Sequence, residues 1–267
     1  MVVNKYNIYI ICKSEDIFQA KADVLKQNYS SKICHIQWIP AEYLTLTQCN
    51  QPMVKKLNTI YNTKQKSIIA KLGCIAAHRK ALLAVFSNQT FNNLILEEDA
   101  GVEFPLPSPP KQSCYMGGWI VPPKISQTGK VKLHVKPKRN KLNEIKYDTF
   151  QVITTHALFL KTHQEAVDLL HQTIQPETMK NYDIFLANKQ IFKYYYYPSI
   201  FVQEKHTSEI THNVNQNYKV TYNYGLTTSK QTKTKKKRPS QKKRPSQKKR
   251  NYSKRNYSKR NYSKKRK

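Results

Sequence analysis

The chain has 267 residues, enough for one large domain or two small ones, and a formal net charge of +31 from 47 Lys and Arg against 16 Asp and Glu. The charge is uneven: residues 230–267 hold 20 of the basic residues and no acidic one, so residues 1–229 carry 27 basic against 16 acidic groups, a net of +11. The pooled value therefore does not make the body of the chain a nucleic-acid binder, and five cysteines without a C-x-x-C pair argue against both a disulfide framework and a zinc motif.

Cys12, Cys34, Cys49, Cys74 and Cys114 read as reduced thiols in a cytosol-like compartment. Cys12 and Cys34 fall in apolar runs and are expected to be buried. MVVNKYNIYIICK is too short in apolar residues for a membrane span and lacks a cleavage site. A soluble, cytoplasmic protein is the expectation, with nucleus or virion as destinations that the basic tail would serve.

YNIYIIC (6–12) is β-branched and aromatic and predicts a buried strand. DIFQAKADVLKQ (16–27) places Ile17, Ala20, Val24 and Leu25 at helical spacing, and ICHIQWIP (33–40) predicts a second strand stopped by Pro40. Strand, helix, strand at this spacing opens an α/β layer fold. Residues 41–66 are polar and predict a loop region with short helical turns. Residues 68–87 (IIAKLGCIAAHRKALLAVFS) predict a long helix with Ile75, His78, Leu82 and Val85 on one face, flanked by Leu72 and Phe86. Gly73 costs this helix about 1 kcal/mol relative to Ala and points to close packing.

NLILEED (93–99) is a strand running into three adjacent carboxylates, and the proline-rich PLPSPPKQS (105–113) is a loop. YMGGWIV (115–121) predicts a strand with a Gly-Gly step, residues 124–146 are basic and weakly patterned, and YDTFQVITTHALFLK (147–161) holds one or two strands. THQEAVDLLHQTI predicts a helix capped by Thr162. NYDIFLAN is a short helix or turn, and IFKYYYYPSIFVQEK (191–205) holds two strand-like pieces around Pro198. From Lys230 the chain repeats KKRPSQ and then NYSKR, a composition that cannot offset backbone ordering of roughly 1–2 kcal/mol per residue. Residues 1–229 are thus expected to be the folded domain and 230–267 a disordered basic tail.

On a strand, Glu97 and Asp99 would project to one side and Glu98 to the other. A carboxylate pair at the carboxyl end of a buried strand lies where ligands bind in open α/β sheets. Such a pair suits a hard divalent cation, Mg²⁺ or Mn²⁺, shared with substrate phosphates. A solvated acidic turn, or salt bridges to the many lysines, accounts for the same residues. His78 is either a hydrogen-bonded core residue or a site-lining group. Gly117 and Gly118 either let backbone approach a substrate or form a bulge. His156 and Trp119 read as strand and core residues, or as a pocket histidine and a sugar-stacking ring.

GCIAAHRKALLAVFSNQTFNNLILEEDAGVEF (73–104) resembles the core signature of glycosyltransferase family 25, which includes lipopolysaccharide-type galactosyltransferases and collagen hydroxylysine glycosyltransferases. Gly73, Cys74, His78, Leu94, Ile95, Leu96, Glu97, Asp99 and Phe104 carry the match. WIPAEYLT, TTHALFLKTHQEAVDLL, NYDIFLAN and YPSIFVQEKHTSEI are weaker likenesses in the same order, so the resemblance spans about residues 5–210. Ala77 stands in place of the family's Ser, Glu98 in place of its middle Asp, and Thr154 in place of its Gly.

The resemblance implies a GT-A-like α/β fold, a mixed sheet flanked by helices that binds a nucleotide sugar. It implies hexose transfer from a UDP-sugar, UDP-glucose or UDP-galactose, to a hydroxyl of a glycan or hydroxylysine-type acceptor, with inversion. Glu97 and Asp99 would hold Mn²⁺ or Mg²⁺, Glu98 with Gly117 and Gly118 would contact the donor, and Asp183 and His78 would serve catalysis. Asp183 alternatively serves only as a helix N-terminal carboxylate. The rival reading is an inactive transferase scaffold that binds nucleic acid or another polyanion through its tail. The abundance of Lys, Asn, Ile and Tyr fits an AT-rich genome such as that of a large DNA virus.

Tail binding to polyanions would rest on counterion release, with tyrosines stacking on bases. KKRPSQKKRPSQKKR also resembles a nuclear-localisation cluster, and a repeat expansion without a selected role is the plain alternative. Removing residues 230–267 should abolish salt-sensitive retention on single-stranded DNA, measured by binding at two salt concentrations. Undiminished binding would place the polyanion site in the body.

Overall fold

The computed structural model describes residues 4–41, 44–49, 51–61, 64–121, 137–174 and 181–204. The expected tail, 230–267, and most of the basic stretch 124–146 lie outside these residues. Strand β1 (Tyr6–Cys12) pairs in parallel with β2 (Ile33–Pro40) on one side and with β3 (Asn93–Glu97) on the other. β9 (Ala157–Leu160) runs antiparallel to β3 and to β5 (Cys114–Tyr115). β10 (Tyr194–Tyr197) lies parallel to β5, and β7 (Lys141–Glu144) closes the edge antiparallel to β10. The seven-stranded mixed sheet has the order β2-β1-β3-β9-β5-β10-β7.

The apolar runs are continuous because the central strands are buried on both faces. Within each strand the faces still alternate. Tyr9, Ile11, Ile95, Leu158 and Leu160 enter one core, whereas Ile8, Ile10, Leu94, Leu96 and Phe159 enter the other. The first core is covered by α3 (Gln65–Asn88), α4 (His163–Gln172) and α5 (Tyr182–Asn188), through Ile75, Leu82, Leu169 and Phe185 among others. The second is covered by α1 (Glu15–Tyr29), through Leu25 with partly buried Ile17 and Phe18. The expected helical face of α1 is displaced: Ala20 and Val24 are exposed, and Phe18, Ala22 and Leu25 point inward. The i, i+4, i+7 stripe of the latter three is centred on the sheet and leaves Val24 beyond its edge.

Cys34 is exposed rather than buried, since β2 is the outermost strand and has a neighbour on one side only. Its last residue, Pro40, is tolerated for the same reason. Where short turns were expected, α2 (Gln51–Tyr61) makes three turns and packs Val54 and Leu57 onto Ile68 and Leu72 of α3. Phe86, expected to flank the buried face of α3, is exposed. Thr162 caps α4 as expected and completes a capping box with Glu165.

The expected strand 115–121 is two strands in different sheets. Gly118 has φ +124, a conformation that a side chain resists, and the chain leaves β5 there to form β6 (Trp119–Val121), paired with β8 (Gln151–Ile153). β4 (Ala100–Val102), directly after the acidic residues, pairs antiparallel with β11 (Phe201–Gln203). No described helix is long and apolar enough to cross a membrane.

Leu82 is 1% exposed at the centre of the α3 core. Leu82→Ala should cost about 2–5 kcal/mol of unfolding free energy in a denaturant titration. A change below that range would mean that α3 is not packed on the sheet as described.

Candidate functional site

β3 emerges from the core at Glu97, and the chain then turns through Glu98 and Asp99 before β4 begins. The strand thus ends before its alternation can be applied to all three carboxylates, and the turn sends them to three partners. The Nε2–H of His78 donates to Glu97 Oε1 at 2.8 Å. Glu98 accepts from the Lys13 backbone N–H at 3.1 Å, with the Lys13 ammonium 3.7 Å away. Asp99, 6% exposed, accepts from Gln203 Nε2 at 2.6 Å, and its carbonyl accepts from the Glu204 N–H.

His78 sits on the buried face of α3 between Ile75 and Leu82, as its spacing requires. It is a hydrogen-bonded core residue, 1% exposed, as one of its two readings expected, and its ring reaches Glu97 at the end of β3. Tyr182 packs its ring against the imidazole with centroids 4.9 Å apart, which brings in the first turn of α5 and Asp183 beside it. Cys74 lies one helical turn before His78. Its sulfur, a His78 ring nitrogen and a Glu97 oxygen all lie within 4.8 Å of one another.

The electrostatics link these groups. Burial alone would raise the Glu97 carboxyl, but the hydrogen bond and charge of His78, with a hydrogen bond from Thr155, carry it below the ordinary carboxylate range. Burial and the Glu97 charge push Asp183 up, against the Ile184 N–H that donates to its Oδ1 at 2.7 Å. Burial pushes the Cys74 thiol well up, and Glu97, Asp183 and Asp99 add to the shift. Three carboxylates therefore act on one sulfur. Asp183 is both a helix N-terminal carboxylate and a member of this cluster.

Gly117 and Gly118 serve packing. Both are buried, and a Cβ on Gly117 would lie 2.4 Å from His156 Nε2 and 2.9 Å from the Phe201 carbonyl. A Cβ on Gly118 would strike Thr154 and Val152. The pair leaves room for these neighbours. His156 is buried, and that burial holds its imidazole below its usual range against the raising effect of the Glu97 charge. Its Nδ1 accepts from the Thr154 hydroxyl and its Nε2–H donates to the Phe201 carbonyl at 3.4 Å. Its carbonyl accepts from the Glu97 N–H at 3.0 Å, so His156 supports the end of β3, and its ring and the Glu97 carboxylate act on one another electrostatically. Trp119 is half-buried on β6 opposite Ile153.

The fold thus joins Glu97, His78 and Asp183, brings the charge of Asp99 within reach of the same sulfur, and turns Glu98 aside. It adds Cys74, Thr155, Tyr182 and Gln203, to which sequence reasoning gave no role. The i, i+4 spacing of Cys74 and His78 was the one local signal available. No family model matches the chain, and no curated protein sequence matches it.

The lowered Glu97 pKa fixes a sign. Its stabilising contribution is complete above the ordinary carboxylate value of 4.5 and is lost as pH falls through the lowered folded value. Glu97→Gln should reduce stability at neutral pH by roughly 1–3 kcal/mol and flatten the acid limb of a stability-against-pH curve. Superimposable acid limbs would show that the pair does not carry the contribution.

Proposed function

We propose that the chain is a glycosyltransferase that moves a hexose from a UDP-sugar to a hydroxyl acceptor with inversion. The observation that carries this reading is the convergence of Glu97, His78 and Asp183, with the charge of Asp99, beyond the carboxyl end of β3. These are the residues to which the resemblance to glycosyltransferase family 25 assigns metal binding and catalysis. A mixed α/β sheet flanked by helices is compatible with a GT-A-like arrangement.

Glu97 and Asp99 fit a hard divalent cation. Both are oxygen donors two residues apart at the end of β3, and both charges act at the Cys74 sulfur. Bound there, Mn²⁺ or Mg²⁺ would neutralise charge on the departing diphosphate. His78 orients Glu97 and keeps it ionised, since its hydrogen bond favours the charged form. Gln203 fixes Asp99 in the same way.

Asp183 is the base. Burial and the neighbouring Glu97 charge raise its proton affinity, which brings its carboxylate closer to the strength needed to accept the acceptor hydroxyl's proton. The oxygen freed of that proton attacks the sugar carbon from the side opposite the leaving diphosphate, and configuration inverts. The three departures from the family pattern are absorbed structurally: Ala77 is buried, Glu98 is bound by Lys13, and the Thr154 hydroxyl holds His156.

UDP release from a panel of UDP-sugars with Mn²⁺ should be abolished by chelator and by Asp99→Ala. Asp183→Asn should lower kcat about 10²–10⁴-fold with little change in donor binding. Absence of turnover together with absence of Mn²⁺-dependent donor binding would overturn the reading.

A further inference from the structure

We propose that Cys74, His78 and Glu97 form a binding site for a borderline-soft divalent cation of the Zn²⁺ class. The site does not rest on the transferase reading, with which it shares only Glu97 and His78. Its three donor atoms already lie within 4.8 Å of one another. Cys74 and His78 are one turn apart on α3 and face the same way, while β3 delivers Glu97 from 19 residues beyond His78.

The donor set is sulfur, nitrogen and oxygen. It selects Zn²⁺ or Co²⁺ over Mg²⁺, which takes oxygen alone. His78 would ligate through Nε2, the nitrogen that faces Glu97, exchanging its 2.8 Å hydrogen bond to Oε1 for shared coordination of the ion, with the ring proton moving to the buried Nδ1.

The local field favours a cation. Glu97, Asp99 and Asp183 all place negative charge at the Cys74 sulfur, and a dication there would be stabilised by the charges that resist a lone thiolate. Coordination deprotonates the thiol outright and releases its proton to solvent. Three protein ligands leave the fourth position of a tetrahedral ion to water or another small ligand. No C-x-x-C motif marks the site, because its ligands come from one helix face and a strand end.

The test is titration of the full chain with Co²⁺, read by the thiolate-to-cobalt charge-transfer absorption in the near ultraviolet and reversed by Zn²⁺. The band should appear in the wild type and in Cys34→Ser, vanish in Cys74→Ser, and require about tenfold more Co²⁺ or higher in Glu97→Gln. Asp99→Ala should keep the band while losing UDP release, so failure of the transferase reading and failure of this site are separately visible. No band in the wild type, or a band that survives Cys74→Ser, overturns the proposal. Should Cys74→Ser not fold, Zn²⁺ must slow alkylation of Cys74 in the wild-type chain and leave that of Cys34 unchanged. Equal rates with and without Zn²⁺ likewise overturn it.

Discussion

The hydrogen bond from His78 to Glu97 is the contact on which the site depends. It joins the buried face of α3 to the last residue of β3, two elements whose apolar residues also share one core. A partly buried carboxylate is costly unless it is paired and hydrogen-bonded, and Glu97 is both. Removing either partner leaves the other with a desolvated polar group, so the pair is maintained from both sides. Its consequences reach further: the Glu97 charge raises Asp183 and Cys74, and the His78 ring is the surface against which Tyr182 packs.

The sheet makes that contact possible. β1, β3 and β9 are buried on both faces, so the end of β3 cannot shift without disturbing two cores at once. The two sides of the acidic turn are fixed by different devices. Lys13, at the end of β1, holds Glu98, and the β4–β11 pair with Gln203 holds Asp99. Three like charges that would repel one another as a cluster are thereby given separate directions.

Support behind the site is equally specific. His156 is buried, bonded through both ring nitrogens, and its carbonyl receives the Glu97 N–H. Gly117 leaves the space that the His156 ring fills. A single added methyl at Gly117 would press directly on the residue that positions the strand end. The small size of these glycines is thus accounted for by what lies against them.

Much of the architecture was legible in the sequence. Tyr6–Cys12 and Ile33–Pro40 declare themselves as strands through β-branched and aromatic runs, α3 through its 3.6-residue period, and α4 through its Thr162 cap, because these signals are local. His78 and Asp183 could be singled out by residue type, but not joined. Other features needed the tertiary structure. Val24 and Cys34 are apolar yet exposed, since exposure depends on which neighbours an element receives. The split at Gly118 and the pairing of β4 with β11 are set by partners far along the chain. The sequence by itself determined which elements form and which residues can carry charge, sulfur or imidazole. Only the fold decided that Cys74, His78, Glu97 and Asp183 share one space, because contact across a sheet and a helix is a property of three-dimensional packing and has no period in the chain.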